Sequence, residues 1–180
     1  MQFKIITAQD LNQQARLQIA ELCFTAFDED PWSQYAFMQT AVHMVGISDD
    51  KIVSHALWTD RIFTLNDCIC IKTAYVEYVT TNETMRGKGL ASQLLNYLIN
   101  ALTVFGYELA ALQPENDAFY KKLGWTLWLG NLYINQNTEM YLTDEHEIML
   151  YPLSLKLQDL LLDCTDGDAI CADWREGELW

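Results

Sequence analysis

Arg86-Gly87-Lys88-Gly89-Leu90-Ala91 follows the extended run Tyr75-Val76-Glu77-Tyr78-Val79-Thr80-Thr81 at close range and leads straight into an apolar stripe. The stripe comprises Leu90, Leu94, Leu95, Leu98, Ile99, Leu102 and Phe105, recurs at helical spacing and closes at Gly106. A strand, a two-glycine turn and a helix in that order make a cradle for an anion. Glycines let the backbone approach closely, and the helix start offers unpaired N–H groups and the positive end of its dipole. Arg86 and Lys88 put positive charge at this spot in an otherwise acidic chain. The pattern is not G-x-x-x-x-G-K-[ST], nor the three-glycine dinucleotide fingerprint; by itself it can cradle a pyrophosphate or serve as a purely structural turn.

Working outward, Phe3 to Thr7 reads as a strand, and Leu11, Ala15, Ile19, Leu22, Cys23 and Phe27 mark a helix. Asp28 to Ser33 ends it with charge and Pro31, before a short helical stretch toward Thr40. His43 to Ile47, Lys51 to Phe63 and Ile69 to Thr80 form an antiparallel meander joined by Ser48-Asp49-Asp50 and Asn66-Asp67. After the long helix come a strand at Tyr107 to Leu112 and a short helix from Asn116 to Leu123. Strands follow near Thr126 to Leu129, Leu132 to Ile134 and Glu147 to Leu153, and then an acidic tail ending in Trp180. This order predicts an α+β fold, a mixed and mostly antiparallel sheet flanked by helices, in one domain over 1–180.

Hydrophobic residues make up 51% and charged residues 20%, enough apolar material for a core. A start without a basic n-region and apolar core, and the lack of any long apolar run, predict a cytoplasmic protein outside the membrane. A net charge of −14 excludes nucleic acid and anionic lipid as partners and favours polycations. From Glu139 onward eleven Asp and Glu face two Lys and Arg, which reads first as a solvated acidic surface. Cys23, Cys68, Cys70, Cys164 and Cys171 lack metal-type or redox spacing; no metal is expected, and the cysteines read as small buried hydrophobes.

The turn resembles the [RQ]-x-x-G-x-[GA] element of the GNAT acetyltransferase superfamily, with Arg86, Gly89 and Ala91 in the defining places. Phe119-Tyr120-Lys121-Lys122-Leu123-Gly124-Trp125 resembles that family's F-Y-x-x-x-G-[FW] element. Within the superfamily the chain is most similar to aminoglycoside 2'-N-acetyltransferases. Tyr75-Val76-Glu77 and the ending Cys171-Ala172-Asp173-Trp174-Arg175-Glu176-Gly177-Glu178-Leu179-Trp180 carry that likeness, with Ala26 to Asp30, His43 and His55 in support. Gln113-Pro114-Glu115-Asn116-Asp117 departs from it, standing where the family has a longer, serine-containing segment.

The resemblance implies acetyl-CoA as co-substrate. Pantetheine would pair with the backbone of Val79, Thr80 and Thr81, and pyrophosphate would lie on Arg86, Gly87, Lys88, Gly89, Leu90 and Ala91. An alkylammonium, with a pKa of about 10, must lose a proton before it attacks a thioester, and Glu77 is the expected base, directly or through water. Tyr120 is the expected proton donor to the departing thiolate, and a backbone N–H near Val79 the expected oxyanion donor. Asp30, Glu77, Tyr78, Glu145, Asp173, Glu178 and the terminal carboxylate of Trp180 would hold a polycationic amino sugar. The resemblance also implies a homodimer, antibiotic resistance as the outcome and acetylation at the 2'-amine. The cradle does not separate this acceptor from a polyamine, a cell-wall amino sugar or another small amine, and the presence of both Glu77 and Tyr120 weighs against a non-catalytic acetyl-CoA sensor.

Overall fold

Alternating or β-branched runs cut by turn-formers make most of the strands, and stripes at helical spacing make the helices. The structure, a computed structural model, describes residues 1–137, 139–143, 147–177 and 180. In chain order the elements are β1 (Gln2–Thr7), α1 (Gln13–Phe27), α2 (Pro31–Gln34), β2 (Val42–Ser48), β3 (Lys51–Leu65), β4 (Ile69–Thr81), α3 (Leu90–Val104), β5 (Leu109–Leu112), α4 (Asp117–Lys121), β6 (Thr126–Leu127), β7 (Asn131–Gln136), β8 (Glu139–Leu142), β9 (Met149–Pro152), α5 (Leu155–Leu162) and β10 (Ala169–Asp173). The architecture is α+β with a mixed sheet. β4 pairs with β5, and β7 with β10, in parallel, and the other described pairings are antiparallel.

The chain forms two compact units, Met1–Thr59 with Val76–Asn100, and Asp60–Tyr75 with Ala101–Trp180. In the first, β1 pairs with β2 and β2 with β3, with a register shift between Gly46 and Ile47. A Cβ at Gly46 would collide with Ser54 Oγ, so a larger residue there would force the buried Ser54 side chain into another rotamer. The β2–β3 turn places Asp49 and Asp50 in the left-handed region (φ 50° and 59°), the backbone of a tight two-residue hairpin. Helix α1 starts on Asn12, whose side chain accepts from the Ala15 N–H, and stops at left-handed Asp28. It buries Ile19, Leu22 and Cys23, and Ile19 and Cys23 pack with Leu11 and Val45.

In the second unit the strands run in the order β6-β9-β5-β4-β3-β10-β7-β8, with residues 60–65 and 69–75 representing β3 and β4. Asn66 and Asp67 (φ 50° and 57°) close the β3–β4 hairpin. Past the end of α3 the Tyr107 N–H reaches the Leu102 carbonyl and the Gly106 N–H that of Thr103. This Schellman cap requires left-handed Gly106 (φ 73°). The core gathers Phe63, Leu65, Ile71, Leu109, Leu150 and Ile170 with neighbours that include Trp180.

The structure departs from the sequence reading in two places. What reads as an acidic tail is built into the fold. Ser154 caps α5 by accepting from the Leu157 N–H, Leu157 is buried, and β10 sits between β3 and β7. The acidic residues Asp159, Asp163 and Asp166 occupy exposed positions around this apolar framework, so the charge count hides its periodicity. The cysteines also divide: Cys23 and Cys171 are buried, Cys164 is half-buried, and Cys68 and Cys70 are exposed. Their position at the outer end of the β3–β4 hairpin explains the difference, since Cys68 follows the turn and Cys70 lies in the first residues of β4.

Candidate active site

β4 runs out at Thr81 and α3 begins at Leu90, so the chain between them is the anion-cradle segment read from sequence. Gly87 and Gly89 are both left-handed, at φ 75° and 74°, a conformation costing an L-residue about 1–2 kcal/mol. A Cβ at Gly87 would have no neighbour within 4 Å, and at Gly89 only Gln93 Nε2 at 4.0 Å. Backbone conformation rather than crowding therefore selects glycine, and the space in front of the turn is open. The Gln93 N–H bonds the Gly89 carbonyl at 3.0 Å as α3 begins. Arg86 Nε donates to the Thr81 carbonyl at 3.2 Å, and Lys88 Nζ to the Thr84 carbonyl at 3.2 Å. Both cations are exposed and tied to the turn, which fixes positive charge beside the glycines.

Upstream, Glu77, Tyr78 and Val79 are each half-buried, where a regular strand would alternate between faces. Tyr78 is the cause: its φ of 53° is left-handed, a state that costs a bulky residue about 1–3 kcal/mol and persists only where the surroundings over-determine it. Three contacts do so. Its hydroxyl donates to Glu29 Oε2 at 3.1 Å, its carbonyl lies 3.2 Å from His55 Nδ1, and its ring meets Phe27 edge-on at 5.5 Å between centroids. Burial, with Glu29 adding, holds the Tyr78 phenol well above its ordinary pKa, so it remains a donor. Glu29 was not singled out in the sequence, although it lies in the quoted Ala26 to Asp30 stretch; only the distance to Tyr78 reveals it.

Asp30, expected to hold substrate, is exposed and caps α2, accepting from the Trp32 N–H at 3.2 Å. His43 and His55 are both fully buried, with His43 Nδ1 3.0 Å from His55 Nε2. Burial drives both imidazoles down, His43 to about 4 with Arg16 contributing, and His55 well below the usual range with His43 contributing.

In the second unit, Tyr120 is buried in α4, and its ring meets Phe119 and Trp125 edge-on. Burial, with Glu115 adding, pushes its phenol up to about 12, so it is protonated throughout the neutral range. Asn116 caps α4, and Gly124 (φ 89°) turns the chain so that the Trp125 N–H bonds the Tyr120 carbonyl. Asp173 is committed to a staple: its Oδ1 accepts from Arg61 Nε at 2.9 Å and from the Ile62 N–H at 3.0 Å. The Trp180 indole is built into the core, meeting Phe63 edge-on and donating to Thr143 Oγ1 at 2.9 Å. Glu145 and Glu178 lie outside the described residues.

The first unit thus brings together Glu77, Tyr78, the Val79 to Thr81 strand end and the Arg86 to Ala91 turn, while Tyr120, Asp173 and Trp180 belong to the second. Among the described residues no cluster of three or more His, Cys, Asp or Glu is arranged to hold a metal, and no helix is long and apolar enough to cross a membrane.

Residues 2–128 match the acetyltransferase (GNAT) domain. Over 180 residues the chain is 26% identical to the aminoglycoside 2'-N-acetyltransferase of Mycolicibacterium fortuitum, covering 98% of this chain and 91% of that protein. Among solved structures, the fold is similar to a GNAT family N-acetyltransferase (YhbS) from Escherichia coli in complex with CoA. The TM-score is 0.63 at 16% identity, covering 98% of this chain and 91% of that one. It is also similar to an aminoglycoside 6'-N-acetyltransferase complexed with coenzyme A, with a TM-score of 0.58 at 13% identity, covering 86% of this chain and 98% of that one.

Proposed function

The chain belongs to the GNAT family of acetyl-CoA-dependent N-acetyltransferases, and from that premise we propose that its acceptor is the 2'-amine of an aminoglycoside. The observation that carries the acceptor is the likeness to an aminoglycoside 2'-N-acetyltransferase, which extends over 98% of the chain and so past the coenzyme motifs. A net charge of −14 supports a polycationic acceptor by long-range attraction. In this reading the protein is a cytoplasmic single-domain enzyme, acting as a homodimer and conferring antibiotic resistance.

The chemistry follows from the residues. Val79 to Thr81 pair with pantetheine, and the left-handed glycines and the N-terminus of α3 receive the pyrophosphate, with Arg86 and Lys88 opposing its charge. Glu77 takes a proton from the substrate ammonium, directly or through one water, and the freed nitrogen lone pair attacks the thioester carbon. The Val79 N–H stabilises the oxyanion. As the carbonyl reforms, the C–S bond breaks and its electron pair leaves on sulfur. Tyr120, kept protonated by burial, supplies the proton that makes CoA a thiol, and the second proton that the nitrogen sheds as the amide forms returns, directly or through water, to the phenolate. Tyr78, Glu29, Asp30, Glu145, Asp173, Glu178 and Trp180 are the proposed acceptor-side residues. Of these, Asp30 and Asp173 already serve structural hydrogen bonds and have fewer free lone pairs to offer.

The test is an acceptor screen that follows thiol release, with mass spectrometry of the product. Aminoglycosides bearing a 2'-amine should gain one acetyl group there. Acetylation of a polyamine or a cell-wall amino sugar, with those drugs untouched, would replace the acceptor and keep the family.

A further inference from the structure

We propose that His43 and His55 are positioning residues for acetyl transfer, a pair of imidazoles that fixes the Tyr78 peptide between the base Glu77 and the oxyanion donor Val79. This rests on the reading of β4 as the coenzyme strand. All of its parts, on β2, β3 and β4, lie within the first unit.

The hydrogen-bond chain has a direction. The Tyr78 carbonyl can only accept, so His55 Nδ1, 3.2 Å away, carries its proton. A neutral His55 then has a bare Nε2, which can only accept, so His43 Nδ1, 3.0 Å away, must donate to it. Both rings are therefore Nδ1–H tautomers, and the chain reads His43 to His55 to Tyr78. The full burial of both rings and their lowered pKa values fit neutral imidazoles.

What this chain controls is the left-handed step in β4. In a regular strand Glu77 and Val79 would point to the same face. A left-handed residue between them rotates the following peptide, and with it the Val79 N–H, relative to the Glu77 carboxylate. The Tyr78 carbonyl belongs to that rotated peptide, and His55 is the side chain that holds it. The arrangement leaves a buried polar atom uncompensated: His43 Nε2 has no hydrogen-bond partner among the described residues, and its ring lies stacked on Trp32 at 5.4 Å. An apolar pair on β2 and β3 would fill the same space without an unpaired acceptor. Two histidines at these positions are accounted for by the direction they impose on the carbonyl.

The test has two arms on the full chain. In nitrogen-15 imidazole spectra of the wild type, with the His43 and His55 rings assigned through their own backbone resonances, both rings should report Nδ1–H with bare Nε2. A proton on Nε2 of His55 would overturn the proposal. In the second arm, His55→Leu removes the donor, while His55→Asn keeps an N–H near the Nδ1 position. Turnover should fall about 100-fold in the Leu variant, the loss expected for a reacting group displaced by roughly 1 Å. The KM for acetyl-CoA and the thermal shift it produces should be unchanged, and Asn should restore most of kcat. Equal loss in both variants in step with melting temperature, or full turnover in the Leu variant, would sink the positioning role. Should the variants not fold, the tautomers of the wild type decide. Wild-type protein showing no acetyl-CoA thermal shift would instead overturn the coenzyme reading of β4, and the positioning role with it.

Discussion

At Gly89 a single backbone torsion separates a structural turn from a ligand site. Replacement by Ala meets open space but a left-handed φ of 74°, so it should cost about 1–2 kcal/mol and lower Tm by several degrees, leaving acetyl-CoA stabilisation intact. Gly89→Glu adds negative charge where the proposed pyrophosphate would lie and should abolish that stabilisation; a persisting thermal shift would mean the turn is only structural. Glu77 and Tyr120 are separable by pH. Glu77→Gln should slow turnover most near neutrality and recover as rising pH deprotonates the amine in solution. Tyr120, with its phenol pushed up to about 12, should impose no falling limb on the wild-type profile below about pH 11. A falling limb near pH 9 that vanishes in Tyr120→Phe would contradict the buried, protonated phenol. The left-handed glycine turn was legible because its spacing between strand and helix names it. The left-handed state of Tyr78 and its bond to Glu29 were not, since no pattern along the chain encodes a contact across 49 residues.

Element by element, legibility followed local chemistry. The two hairpins announce themselves through Asp49-Asp50 and Asn66-Asp67, which tolerate left-handed backbone, and α3 through a leucine stripe closed by glycine. α5 and β10 were hidden because acidic residues between them read as a solvated tail, and β8 because its four exposed residues carry no burial pattern. The cross-strand histidines on β2 and β3 have a consequence for acid stability. Their folded pKa values are depressed, whereas the unfolded chain binds protons near 6.5, so their contribution is complete above that pH and lost as it falls toward 4. His43 alone, at about 4, accounts for roughly 2 kcal/mol of loss at pH 5, or several degrees in Tm. A variant with both histidines replaced by Asn should lose less stability between pH 7 and pH 5 than the wild type. An identical slope would mean that the pair is not neutral in the fold.

For the whole molecule, charge and core make different demands on the same C-terminal residues. If carboxylates recruit a polycationic acceptor, its KM should rise with ionic strength as charges are screened over about 8 Å, while the acetyl-CoA thermal shift changes less. A KM indifferent to salt would remove the electrostatic argument for the acceptor. Trp180, by contrast, is only 3% exposed, and Trp180→Ala should cost about 3–5 kcal/mol by leaving a cavity in the core of the second unit. Unfolding curves measure this directly, and a loss below about 1 kcal/mol would mean the indole is not the core element its contacts describe. The placement of β10 reaches further, into how the chain is made. Ile170 pairs with Leu65, 105 positions earlier, and the same strand joins β7 on its other side. On a ribosome delivering about 5–20 residues per second, β3 and β7 emerge well before the strand that comes to lie between them. For those seconds two unpaired strand edges are open to neighbouring chains, so yield during synthesis, more than the stability of the finished protein, should respond to temperature and to chaperone supply.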